Sequence, residues 1–285
     1  MVLTGHPHRL SGGAVGSVMK AAPSGAAFFA QKVKSRIVAS MESPSTSLEF
    51  FDDDYWLSHE DYLTSEQADF DVAEILSLLN GASGRLLDAP CGSGRLAARL
   101  SLLGFDVDGV DLDPRALKLA RSQQRGLSQK VHYFERDLRA LLELGPYDVI
   151  LSWFNSFGYF SSEDNVELLR SFSSLLKSNG QLLINTLDLH VVQQVLSEGA
   201  LSEELTVRGR TIGSTAHLEG SRLITTRVST GLSEALEKVS SVELFTAKHW
   251  IELLQGLGFS DVSVTKRSQP SLGDPVAEIT VQATR

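Results

Sequence analysis

The sequence has little cysteine, no long apolar run, and two stretches that each lack one sign of charge. Cys91 is the single cysteine among 285 residues, so no internal disulfide can form and a reducing compartment is the natural setting. No window approaches the roughly 18 consecutive apolar residues of a membrane-spanning helix, which excludes a helical span. Clustered basic surface is also missing: 26 Lys plus Arg against 35 Asp plus Glu give a net charge of -9, which argues against nucleic acid as a partner. What remains is ordinary globular composition, 42% hydrophobic and 21% charged, which excludes collagen-like, disulfide-scaffold and wholly disordered classes.

The charge is unevenly placed. Residues 1–41 hold five basic side chains and no acid, whereas residues 42–80 hold eleven acids and no Lys or Arg. The first stretch is rich in Gly, Ala and Ser and has no sustained hydrophobic period, so it reads as a disordered leader. Two explanations stay open: a transit-like segment of an organellar protein, or a misassigned start with Met41 as the true beginning. A domain over 42–285 is expected, cytoplasmic in the simplest case and organellar if the leader is a transit peptide.

Beyond the switch, Phe70, Val72, Ile75, Leu76 and Leu79 recur at helical spacing and Asn80-Gly81 supplies a stop. Strands and helices then alternate. The pattern predicts strands at Arg85–Ala89, Phe105–Val110, Val131–Phe134, Tyr147–Ser152 and Gln181–Leu187, and helices at Gly94–Leu103, Pro114–Arg125 and Ser162–Lys177. Such alternation implies an α/β chain with a doubly wound parallel sheet and right-handed crossovers. The last third differs: residues 203–245 read as short strands of period-two polarity, followed by a helix over Thr246–Leu257 and strands at Asp261–Thr265 and Ala277–Ala283.

The chemistry concentrates after the first strand. Gly92-Ser93-Gly94-Arg95-Leu96-Ala97 fits G-x-G-x-x-G/A, in which glycines permit a tight turn and close approach of a ligand ahead of a helix N-terminus. Asp88 lies four residues before Gly92. Asp111 closes the second strand, where a carboxylate can accept both hydroxyls of a ribose.

These residues, with Gly109-Val-Asp111-Leu-Asp113-Pro114, Arg136-Asp137-Leu138 and the run Ser156 to Phe160 (SFGYF), resemble successive motifs of the class I S-adenosylmethionine-dependent methyltransferases, in particular a small-molecule group. The resemblance extends from about Phe50 to the C-terminus. It implies a Rossmann-like sheet of seven strands, the last antiparallel. It implies S-adenosylmethionine as cofactor, with Asp88 and the backbone from Ala89 through Gly92 to Gly94 holding the methionine amino and carboxylate groups. Asp111 would bind the ribose with Leu112 against the adenine, Asp137 would accept from the adenine amino group beside Leu138, and Ser152 and Trp153 would border the transferred methyl.

The acceptor is expected to be a small molecule, with N-methylation ahead of O-methylation. His190, just beyond the fifth strand, is the preferred candidate base, with His59 and His249 behind it, and Tyr159 is an orienting hydroxyl. Phe51, Tyr55, Trp56, Phe157 and Tyr159 are candidates to line the acceptor pocket, which is expected to draw on residues 50–62, the SFGYF loop and the 203–245 strands. Cys91 reads as a packing residue, and Asp52 to Asp54 as a solvated face or helix start. No His/Asp cluster has ligand spacing, so no metal is expected. A homodimer is compatible with such a chain. The rival readings are an NAD(P)-dependent oxidoreductase, which the glycine loop formally fits, and a non-catalytic binding protein that keeps the cofactor fold.

Overall fold

A computed structural model describes residues 47–124, 131–197, 201–231, 235–267 and 277–285. The expected leader over 1–41 lies outside the described residues.

Among the described residues three helices precede the sheet: α1 (Ser47–Phe50), α2 (Asp53–Ser58) and α3 (Ser65–Leu79). Asp52 caps α2, accepting the N–H groups of Asp54 and Tyr55 at 3.1 Å each. Thr64 caps α3 through its hydroxyl, and Asn80 ends that helix in the left-handed conformation at φ 46°. There follow β1 (Arg85–Asp88), α4 (Arg95–Leu102), β2 (Asp106–Asp111), α5 (Pro114–Gln123), β3 (His132–Glu135), a single 3-10 turn at Leu138–Ala140, β4 (Tyr147–Ser152), α6 (Ser162–Leu175) and β5 (Leu176–Leu187). Asp113 caps α5 immediately before Pro114, whose missing N–H is one the helix could not use.

The seven strands order as β10-β11-β5-β4-β1-β2-β3, where β10 is Ser260–Lys266 and β11 is Glu278–Thr284. The pairs β1/β2, β1/β4, β2/β3 and β4/β5 are parallel, and β11 runs antiparallel to both β5 and β10. Chain order reverses on either side of β1, so the C-terminal ends of β1, β2 and β4 open onto a switch-point crevice. Asp88 and Asp111 stand at those ends.

Both faces of the sheet are covered, which is why the middles of β1 (Leu86, Leu87) and β4 (Val149 to Leu151) are apolar and buried on both sides. On one face Ile75 and Leu79 of α3 and Leu100 of α4 pack on Leu86, Val107 and Val149. On the other, Leu168 and Phe172 of α6 and Trp250 of α8 (Ala247–Gly256) pack on Leu87, Ile150 and Leu182. Each such fully buried Leu or Ile contributes about 1.5–3 kcal/mol.

An accessory unit interrupts this sheet. After α7 (Leu189–Ser197), strands β6 (Leu201–Val207), β7 (Arg210–Glu219), β8 (Arg222–Thr230) and β9 (Leu236–Glu243) form an antiparallel meander. The insertion leaves at Asp188 and returns at Phe245, which form a bridge. The Asp188 carboxylate accepts from the Val191 and Ala247 N–H groups, each at 3.1 Å, and so secures both junctions. Neither α7 nor α1 follows from the sequence pattern above, whereas α2 starts at the Asp52 to Asp54 run where the sequence offers a helix start, and β5 starts five residues before the expected Gln181 because α6 passes directly into it.

Among the described residues no helix is long and apolar enough to cross a membrane.

Candidate active site

The crevice over β1, β2 and β4 is a cleft enclosing about 1170 Å³ of atom-free space, part of it open to solvent. Its floor is the turn from β1 into α4. The N–H of Cys91 donates to Val110 O at 2.8 Å and that of Gly94 to Cys91 O at 2.9 Å, which folds the turn back on β2. Gly92 and Gly94 have φ of 52° and 73°, a region that disfavours any side chain. They serve different ends. A Cβ on Gly94 would overlap Tyr133 Oη, so Gly94 is required by packing, whereas a Cβ on Gly92 would meet only the Trp56 ring at 3.7 Å, so its backbone is open to a ligand.

Asp111 locks this turn. One carboxylate oxygen accepts from Gly92 N at 2.7 Å, the other from Asp113 N at 2.8 Å. Burial raises its pKa, opposed by those N–H groups. Asp88 is only 2% exposed, and among the described residues no side chain donates to its carboxylate. Burial, opposed by Arg95 and reinforced by Asp111, pushes Asp88 up to about 7. A buried carboxylate without a side-chain donor at a cleft wall is suited to a cationic ligand group, which would restore its charge. Arg95 also borders the cleft. Its Nη1 donates to Asp71 at 2.6 Å, while Nη2 is buried without a protein partner, as a donor suited to an anionic ligand group would be.

Asp137 and Leu138 line the cleft beyond Asp111. The Asp137 carboxylate accepts from Arg139 at 2.7 and 3.1 Å, and that pairing, against some desolvation, lowers its pKa. Leu112 also lines the cleft and is 37% exposed, an apolar surface for a flat ring. Trp153 lines it too, whereas Ser152, Ala89 and Gly94 lie behind the lining.

The opposite wall is aromatic: Phe51, Tyr55 and Trp56 from the α2 region and Phe154, Tyr159 and Phe160 after β4. Phe51 packs edge-on against both Tyr55 and Tyr159, with ring centres 4.7 and 5.4 Å apart. Burial pushes the Tyr55 phenol up to about 12 and Tyr159 higher still, so both stay protonated and can donate but not act as bases.

Several expected placements differ. His190 does not reach the cleft: it is exposed on the first turn of α7, its Nε2 3.3 Å from Gln194 Nε2, because the chain turns away from the sheet edge into a helix there. His249 is exposed on α8. His59 stacks on Tyr55 at 4.1 Å outside the lining, and burial pushes it down to about 4, so it is neutral. Phe157 points into the core against Phe245 and Trp250 rather than into the cleft. No residue of β6 to β9 lines the cleft; that sheet instead holds the α2 region from behind. Of the two readings of Asp52 to Asp54 the helix start holds, since Asp52 caps α2, and the solvated face fails for Asp52 and Asp54, since both are paired with arginines of the accessory sheet and Asp54 is buried. Cys91 lines the cleft as a buried thiol that burial pushes well above its ordinary value, which leaves it unreactive. Among the described residues no group of His, Cys, Asp and Glu could hold a metal ion.

Comparison with known proteins fits this geometry. A family model described as a methyltransferase domain matches residues 86–180. The chain is 30% identical over 112 residues to a ubiquinone biosynthesis O-methyltransferase of Xanthomonas axonopodis pv. citri, covering 39% of this chain and 46% of that protein. The chain spans about half the length of the curated relatives it matches. Among solved structures, an S-adenosylmethionine-dependent methyltransferase from Clostridium acetobutylicum superposes with a TM-score of 0.63 at 17% identity, covering 91% of this chain and 98% of that one. The sugar N-methyltransferase KedS8 from Streptoalloteichus superposes at 0.54 and 17% identity, covering 99% and 98%. The matched segment runs from β1 into β5, through the glycine turn, Asp88, Asp111 and Asp137, and over these residues the chain is similar to a methyltransferase domain.

Proposed function

We propose that the chain transfers a methyl group from S-adenosylmethionine to a small-molecule amine. The observation that carries the reading is Asp88, a buried carboxylate without a side-chain donor, at the wall of a cleft whose floor is exposed glycine backbone. Asp88 would face the ammonium of the methionine moiety and Arg95 Nη2 its carboxylate. Asp111 would take the ribose hydroxyls with the oxygen lone pairs left over from Gly92 and Asp113. Leu112 and Leu138 would sandwich the adenine, with Asp137 beside its amino group. When bound, the cofactor supplies an electrophilic methyl on a sulfonium, so the protein's work is alignment and exclusion of water.

The acceptor class follows from what borders the remaining space. Among the described residues no histidine lines the cleft, and its tyrosines are held protonated. With the cleft's carboxylates engaged by the cofactor in this reading, a poorly acidic hydroxyl would have no free base there, whereas an amine delivers its own lone pair and loses its proton to water afterwards. The aromatic wall of Phe51, Tyr55, Trp56 and Phe160 suits an apolar or ring-bearing body, and ring faces tolerate a developing cation.

Incubation with methyl-labelled cofactor and a panel of matched amines and alcohols tests this. Label transferred to amines and not to their hydroxyl counterparts is expected. Label transferred only to hydroxyls would overturn the amine assignment, and S-adenosylhomocysteine failing to bind would overturn the whole reading.

A further inference from the structure

The acid-rich segment at the start of the domain supplies Phe51, Tyr55 and Trp56 to the cleft, yet its short helices hold few contacts with the main sheet. Its attachments run to the accessory sheet. Arg227 of β8, itself 2% exposed, donates to Phe50 O at 2.7 Å and to Asp52 Oδ1 at 2.5 Å, with its guanidinium 4.6 Å from the centre of the Phe50 ring. Lys238 of β9 reaches Asp52 Oδ2 at 2.8 Å and Glu49 O at 2.6 Å. Arg210 of β7 pairs with buried Asp54, and Arg208 with Glu60 at 2.7 Å. On the cleft side, Arg115 of α5 donates to Phe51 O at 2.9 Å and so ties the segment to the ribose end of the site.

We infer that Arg227 is a positioning residue: through Phe50 and Asp52 it clamps the segment that closes the cleft, and release of that clamp governs how fast the cofactor enters and leaves. The inference rests on the reading of the cleft as a cofactor site. Asp52 has two roles that depend on one another, since the oxygen that takes Arg227 also caps α2. Loss of Arg227 therefore removes one of the two cations, with Lys238, that hold the capping carboxylate. The accessory sheet, which borders no part of the cleft, acquires a function without touching ligand. The arrangement also accounts for part of the charge pattern: Asp52, Asp54 and Glu60 of the strap pair with Arg208, Arg210, Arg227 and Lys238 of the accessory sheet.

Stopped-flow fluorescence with S-adenosylhomocysteine, read from Trp56 and Trp153 at the cleft, tests the clamp. Arg227→Met and Asp52→Asn are compared with wild type; asparagine keeps the helix cap while weakening the ion pair, which guards against a variant that fails to fold. Both variants are expected to release the probe at least tenfold faster and also to take it up faster, with Arg227→Lys restoring much of the wild-type behaviour. Faster uptake is what a gate predicts and general loosening does not. Release within twofold of wild type in both variants, or faster release with unchanged or slower uptake, would overturn the inference. Absence of binding by the wild-type protein would instead overturn the functional reading beneath it.

Discussion

Arg95 and Asp71 form a 2.6 Å ion pair that joins the wall of the cleft to a closed ring of buried contacts. Asp71 accepts in turn from Arg267 at 2.8 Å, Arg267 donates to Glu278 at 2.9 Å, and Asn185 donates to Glu278 at 3.4 Å. Asn185 also accepts from the backbone of Phe154 at 3.0 Å, and the Phe154 ring lies 5.1 Å from the Arg95 guanidinium, which completes the ring. The ring holds Phe154 and Asn155 in left-handed conformations, φ 63° and 53°, that bulky residues adopt only when their surroundings impose them. Two cleft-lining side chains, Arg95 and Phe154, are thereby fixed as one unit.

Arg267→Met should therefore destabilise the protein strongly. The Arg267 side chain is fully buried and pairs with Asp71, Glu74 and Glu278, so its removal takes one shared cation from three carboxylates in or beside the interior, at a cost of about 3–5 kcal/mol. Denaturant unfolding measures this, and a loss below about 1 kcal/mol would show that the network contributes little.

Gly94→Ala should fail for a stated steric reason. The new methyl would overlap Tyr133 Oη and lie 2.9 Å from Ala120 Cβ, at φ 73°. A loss of about 1–3 kcal/mol is expected, and Tyr133→Phe in the same chain should recover part of it by removing the overlapping oxygen. A double variant no more stable than Gly94→Ala alone would place the cost in the backbone.

Asp88 predicts opposite pH dependences for stability and binding. Its value in the folded protein, about 7, exceeds the ordinary 3.8, so the folded state holds the proton more tightly than the unfolded chain. Its contribution to stability is complete at low pH and is lost as pH rises from the unfolded value through the folded one, so Asp88→Asn should stabilise the free protein more at about pH 8 than at about pH 4. Binding needs the ionised form to meet an ammonium. Affinity for S-adenosylhomocysteine should fall as pH drops through about 7 in wild type and be weak and flat in Asp88→Asn, as calorimetry across that range would show.

Much of this was legible in the chain and some of it was not, for physical reasons. Short apolar cores in β1 and β4, alternation in β2 and flanking turn residues mark these strands and the helices between them, because periodicity and turn residues are local signals. Asp88 and Asp111 are legible because strand ends fix where they stand relative to the glycine turn. The Asp71–Arg267 and Asp52–Arg227 pairs join residues 196 and 175 positions apart, and no local pattern encodes such a partner. Phe157 and Tyr159 are nearly adjacent in one loop and point to opposite sides, core and cleft, because irregular backbone has no period from which direction can be read. His190 looked well placed from the end of β5, but Asp188 caps a helix that carries it out to solvent.

The central claim, that this cleft holds S-adenosylmethionine through Asp111, is tested most directly by titration calorimetry of the wild-type protein and Asp111→Ala with S-adenosylhomocysteine, with NADH as the control ligand. One site per chain for S-adenosylhomocysteine is predicted, weakened at least tenfold in Asp111→Ala, about 1.4 kcal/mol, with no heat from NADH. Binding of NADH in place of S-adenosylhomocysteine, or equal affinity in wild type and Asp111→Ala, would contradict it.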